Sequence, residues 1–209
     1  MKLQKSALNA LILSALIALA ALALTLLGTG LKFNFGAEAT INYGAIWLAI
    51  LACAVTGFVF AWVRYGLPGA VALASATLHD LLLSLALCAI LSLVFKLSSY
   101  LPALLIAGAA FTYMFSIPVI RDARQNVKST ANLNRNEAAR LAVASTRKVK
   151  MIVVVVSVLV FAAFIISGNL AMVGNILPLI TGLLAAALSS CLITPYVWAA
   201  VPAKRSKTR

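Results

Sequence analysis

Apolar residues fall in six long runs along this chain: Ala7–Leu27, Ala45–Val63, Leu67–Phe95, Leu101–Ile120, Met151–Ser167 and Met172–Ala200. Each reaches the roughly 17–25 residues that an α-helix needs to cross the hydrocarbon core of a bilayer. The third and sixth exceed that length, which tilt or interfacial ends would absorb. The pattern predicts an all-α, polytopic membrane protein with six transmembrane helices in a single membrane domain. The first run is too long for the 7–15-residue apolar core of a signal peptide and reads as a retained anchor.

The polar stretches between the runs set the expected orientation. Of the 17 Lys and Arg residues, 15 fall on one side if both termini are cytoplasmic: Lys2, Lys5, Arg64, the cations from Arg121 to Lys150, and those of the 201–209 tail. Only Lys32 and Lys96 fall on the other side. That asymmetry is the positive-inside bias, and it argues for an even number of spans. The opposite loop, Thr29 to Gly44, holds Gly30, Phe33, Phe35 and Gly36 and reads as interfacial. The long inside loop, 121–150, contains Asn134-Arg135-Asn136-Glu137 ahead of Ala138, Ala139, Leu141, Ala142 and Val143. This resembles a capping box opening a short amphipathic helix. Arg147, Lys148 and Lys150 then sit where anionic headgroups would attract them. The plain reading of all these cations is topology and lipid contact.

Composition narrows the function. Hydrophobic residues make up 64% of the 209 and charged residues only 10%, against about 25% in soluble domains. The inside loop is too short to fold alone as an enzymatic domain. No phosphate-cradling glycine loop, metal-ligand cluster or nucleophile–base pair stands out, so the chain reads as neither an enzyme nor a cofactor carrier. The net charge of +13 lies between and after apolar runs instead of over a folded surface, which argues against nucleic-acid binding. Cys53, Cys88 and Cys191 all fall inside spans and read as small packing residues.

The one candidate for chemistry is Asp80, in the middle of the third run beside the only histidine, His79. A carboxylate at the bilayer centre costs roughly 2.5–3.5 kcal/mol or more, so such a residue marks a proton site, an ion site or a buried polar contact between helices. Asp80 falls on a ridge of small residues spaced by four: Ala72, Ala76, Asp80, Ser84 and Cys88, with Thr77 one turn earlier. Small residues let a second backbone approach closely, so this ridge should face protein and not acyl chains. Burial disfavours a charged carboxyl, while a nearby cation or water favours it. A helix movement that exchanged those environments would load and unload a proton. His79 should point about 100° away around the helix, as a second polar group or a packed imidazole. Hydroxyl partners are available at Thr112, Tyr113, Ser116, Ser157, Thr181, Ser189, Ser190 and Thr194, although each taken singly reads as helix packing. Pro118 should kink the fourth span. Arg121 and Arg124 close that span, as anchors in preference to relay members, with Asp122 between them as a local partner.

Several segments, in order along the chain, carry a resemblance to SecF, the RND-superfamily subunit of the bacterial Sec protein-export machinery. They are GLKFNFGAEAT (30–40), GAVALASATLHDLLLSLAL (69–87), FSIPVIRDARQN (115–126), EAARLAVASTRKVKM (137–151) and ITGLLAAALSSCLITP (180–195). The His-Asp segment is the most specific. The resemblance implies an RND-type half bundle in the inner membrane that assists protein export or insertion with proton-motive-force coupling. Its implied partners are a SecD-like subunit, the Sec channel and an insertase. The chain departs from SecF in two respects. The folded extracytoplasmic domain that SecF carries between its first two spans is missing, and the charges around Arg121-Asp122 are out of the family's order, so the family's relay arginine does not carry over. Two other readings stand beside this one: a small RND-type permease for lipid or hydrophobic solute, and a non-transporting assembly or scaffold subunit.

Overall fold

The structure is a computed structural model that describes residue 19 and residues 43–92, 94–97, 100–130 and 133–202. Apart from Leu19, the first expected span, the loop after it up to residue 42 and the basic tail from residue 203 lie outside the described residues. Five helices follow one another: α1 (Tyr43–Tyr65), α2 (Leu67–Leu91), α3 (Leu101–Ser129), α4 (Arg135–Ile166) and α5 (Leu170–Ala200). All five are long and apolar enough to cross a membrane.

The local sequence explains where these helices start and stop. Gly66 alone separates α1 from α2, at φ 78, a left-handed conformation that glycine enters without a Cβ penalty. Pro68 follows in the first turn of α2, where its missing N–H costs nothing. α2 stops at Leu91, short of the apolar run's end at Phe95. The Ser92 hydroxyl bonds back to the Ala89 carbonyl, and the Val94 and Phe95 amides both return to Leu91, so the chain turns there. Leu97 and Leu101 are buried immediately after this turn.

α3 and α4 run further than the apolar pattern suggested. α3 passes through Pro118 and carries on to Ser129. Asn134 caps α4, its side chain accepting from the Asn136 amide at 3.2 Å. The short amphipathic helix and the fifth span then prove to be one unbroken 32-residue helix. No glycine or proline interrupts 135–166, so nothing in that sequence breaks the helix between its polar and apolar parts.

α5 packs against α2, α3 and α4, while α1 leans on α2 and α3 from the other side. α4 touches α3 and α5 but not α2. Most of the buried leucines form a cluster at one end, where Leu81 and Leu85 join Ile46, Ile50, Leu101, Leu105 and Leu177. A second cluster at the basic end joins Leu73, Val119, Ile120 and Trp198. At the level of Leu105 and Ala109, within the first cluster, α3 and α5 come unusually close. A Cβ on Gly182 would lie 3.2 Å from the Gly108 Cα, tighter than ordinary contact, so this crossing depends on both residues lacking side chains. The apolar part of α4 is almost wholly uncovered: Ile152, Val155, Val156, Leu159 and Val160 are each about half exposed or more.

Candidate functional site: a buried carboxyl at a three-helix junction

The small-residue ridge of α2 is buried along its whole length. Ala72, Ala76 and Cys88 are fully enclosed, as is Thr77, and Ser84 and Asp80 are 1% and 2% exposed. This ridge meets the face of α5 that carries Thr181 and Ser189. The adjoining flank of α2 buries Leu81 and Leu85 in a cluster that includes Ile46 and Ile50 of α1. Leu78 is left 39% exposed.

Asp80 sits where three helices meet. Its Oδ2 accepts one hydrogen bond from the Thr112 hydroxyl of α3 and another from the Ser189 hydroxyl of α5, both at 2.7 Å. Its Oδ1 lies 3.2 Å from the His79 Nδ1. Adjacent residues on a helix normally diverge. Here the carboxyl is turned so that one oxygen faces the neighbouring helices and the other returns to the imidazole. The His79 side chain is 10% exposed, so the ring lies at the edge of the packed zone. Which species bridges His79 and Asp80 depends on one proton: imidazole N–H donating to carboxylate, or carboxylic O–H donating to a bare ring nitrogen.

Hydroxyls continue the junction in both directions. One turn further along α2, the Ser84 hydroxyl pairs with the Thr181 hydroxyl at 2.8 Å, and Cys88 Sγ lies 3.4 Å from the same Thr181 oxygen. One turn along α3 toward the basic end, the Ser116 and Thr194 hydroxyls pair at 2.9 Å. Ser84, Asp80 and Ser116 thus mark three polar rungs along α5. Every buried side-chain N or O among the described residues has a partner. Tyr113 serves a different contact: its hydroxyl donates to the Cys53 carbonyl and its ring covers Gly57, which fixes α1 against α3. Ser190 bonds to the Ala187 carbonyl of its own helix. Ser157 lies half-buried on α4, which does not touch α2.

The two arginines stand apart from this junction. Arg121 is 63% exposed and pairs with Asp122 at 3.1 Å. Arg124 donates to the Arg64 carbonyl at 2.8 Å, across the end of α1. Arg121 lies nine residues beyond Thr112, about 13 Å along the helix axis at 1.5 Å per residue.

Lys150 corrects a reading of the sequence. It was expected at the headgroups with Arg147 and Lys148, but it is 4% exposed, with Nζ 3.5 Å from the Ser190 carbonyl. The cause is its register. Ala138, Ala142, Thr146 and Lys150 repeat every four residues, and the first two are fully buried. A helix that buries those alanines carries Lys150 inward too. The repeat through Thr146 was the signal available in the sequence. The three cysteines are free: Cys53 and Cys88 are buried, and Cys191 is partly covered.

A helical membrane bundle with a hydroxyl-bound carboxyl between its spans defines a class: a polytopic membrane protein with an ionisable group in its core. Residues 34–204 match the family described as protein export membrane protein SecD/SecF, C-terminal. The chain belongs to that family, as a SecF-like, multi-pass inner-membrane subunit of protein export. No curated protein and no solved structure matches it.

Proposed function

We propose that this subunit assists protein export by proton coupling through Asp80, together with a SecD-like partner. Both ends of the chain would face the cytoplasm. The observation that carries the proposal is the junction itself, one carboxyl held by hydroxyls from α3 and α5. A carboxylate only accepts hydrogen bonds, whereas a protonated carboxyl must also donate one. Gaining a proton therefore reverses the demand on at least one contact at the point where three helices converge. His79 is placed to receive or return that proton. Proton loading would then change how tightly α2 holds α3 and α5, and that change would be passed to the partner. The family covers both SecD and SecF, which supports a paired assembly. The uncovered apolar flanks of α1 and α4 leave room for a second bundle.

The test is gradient-dependent export into inverted membrane vesicles that carry Asp80→Asn or Asp80→Glu. Asparagine keeps the size and one acceptor oxygen but cannot take up a proton. The expected result is loss of the gradient-dependent increment with asparagine and partial retention with glutamate. Full gradient dependence in Asp80→Asn would falsify proton coupling. Failure of Ala72→Leu or Ala76→Leu to assemble, alongside that result, would favour a scaffold role. A permease role would require solute uptake by the subunit alone.

A further inference from the structure

The ends of all five described helices converge on a cavity of about 740 Å³ at the basic end of the bundle. Arg124, Lys128 and Arg135 line one part of it, and Trp62, Leu67 and Trp198 line another. No acidic side chain is among its lining residues. Asp122 is engaged by Arg121 and by the Ser145 hydroxyl, and Glu137 borders a separate depression beside Leu133 and Arg140.

The two arginines are held in place. Arg135 donates to the Trp198 and Val201 carbonyls at 2.5 and 2.6 Å, and its guanidinium stacks 4.5 Å from the Trp198 ring. Arg124 donates to the Arg64 carbonyl. They therefore cap the carbonyl ends of α5 and α1, each with N–H groups to spare out of five. Lys128 is exposed and makes no hydrogen bond or ion pair among the described residues. On its apolar side Trp62 both lines the cavity and is 57% exposed on the surface of α1, next to Val63, which is 85% exposed.

We infer that this cavity is a binding site for an anionic phospholipid of the leaflet at the basic end. Fixed guanidiniums and a free ammonium suit a phosphate, which Arg binds through paired N–H donors. Pockets of this kind between spans hold charged headgroups. Trp62 and Leu67 supply the apolar wall that the glycerol and upper acyl chains need, which a soluble phosphate would not use. Pro202 lines the cavity, and the chain continues beyond it into Lys204, Arg205, Lys207 and Arg209. That segment has the wrong charge to be the occupant. The site requires only that the chain lies in a bilayer; it does not depend on proton coupling at Asp80.

The test is native mass spectrometry of the full chain in mild detergent, titrated with phosphatidylglycerol or with phosphatidylcholine of the same acyl chains. Phosphatidylglycerol should bind about tenfold or more tightly, and Arg124→Gln/Lys128→Gln should remove that preference. Arg147→Gln/Lys148→Gln, which changes cations outside the cavity, should keep it. Lys128→Glu alone breaks no described contact and should weaken phosphatidylglycerol at least several-fold, so the test survives if the double variant misfolds. The inference is overturned if the two lipids bind equally or if neither variant of the cavity cations changes the preference. It is also overturned if glycerol phosphate displaces the lipid at comparable concentration, which would identify a soluble phosphate ester as the ligand.

Discussion

At the residue scale, the junction turns on two hydroxyl donors sharing one oxygen of Asp80. Thr112→Val and Ser189→Ala each remove one O–H from a buried acceptor without adding bulk. Each should cost about 1–3 kcal/mol, the penalty for leaving a buried polar group short of a partner. Because both donors act on Oδ2, the double variant should deviate from additivity by about 0.5 kcal/mol or more. Thermal unfolding of the purified protein in detergent would measure both effects. Additive losses would mean that the two bonds form independently. The acid and its ridge were legible in the sequence because a lone carboxylate in an apolar run is conspicuous and the spacing of four is regular. Thr112 and Ser189 were visible only as two hydroxyls among eight candidates. Hydroxyls pack in membrane helices for many reasons, and nothing local separates the two that reach Asp80.

The same limit applies to whole elements. α3 and α5 can both reach α2 at the level of Asp80 because Gly108 and Gly182 let their backbones nearly touch. Gly182→Leu should push these helices apart, destabilise the protein by about 1–3 kcal/mol and weaken the Thr112 and Ser189 contacts. A lower melting temperature together with lost export activity is the expected pair of readouts. Lys150 offers a contrast. Lys150→Met keeps a long flexible chain and removes the charge, so it should leave stability within about 1 kcal/mol of the parent. Lys150→Glu places a carboxylate against the Ser190 carbonyl and should cost several kcal/mol. Equal melting temperatures for the two variants would show that Lys150 reaches water. The burial of Lys150 follows from α4 continuing without a break, which the polar stretch around Arg147 and Lys148 concealed.

For the molecule as a whole, charge asymmetry sets the expected orientation, with the basic end cytoplasmic. Thr130, at the end of α3, and Ser167, at the end of α4, are both exposed and lie at opposite ends of the bundle. With the native cysteines replaced, Ser167→Cys should react with an impermeant maleimide in intact spheroplasts. Thr130→Cys should react only after the membrane is opened. The reverse pattern would invert the topology and place the basic cavity in the outer leaflet. Helix content and membrane residence were legible because lipid demands long apolar segments wherever a chain crosses it. The expected first span lies outside the described residues.

By itself, the sequence determined that the chain crosses a membrane as helices, that most of its cations fall in the segments expected on one side, and that Asp80 is the acid set among apolar residues. Those properties depend on composition and on spacing within one segment. Tertiary structure decided which hydroxyls hold the carboxyl and that three cations and two tryptophans enclose one cavity. Each of those depends on residues far apart in the chain. Their meeting is set by how closely neighbouring helices pack, and no single segment encodes that.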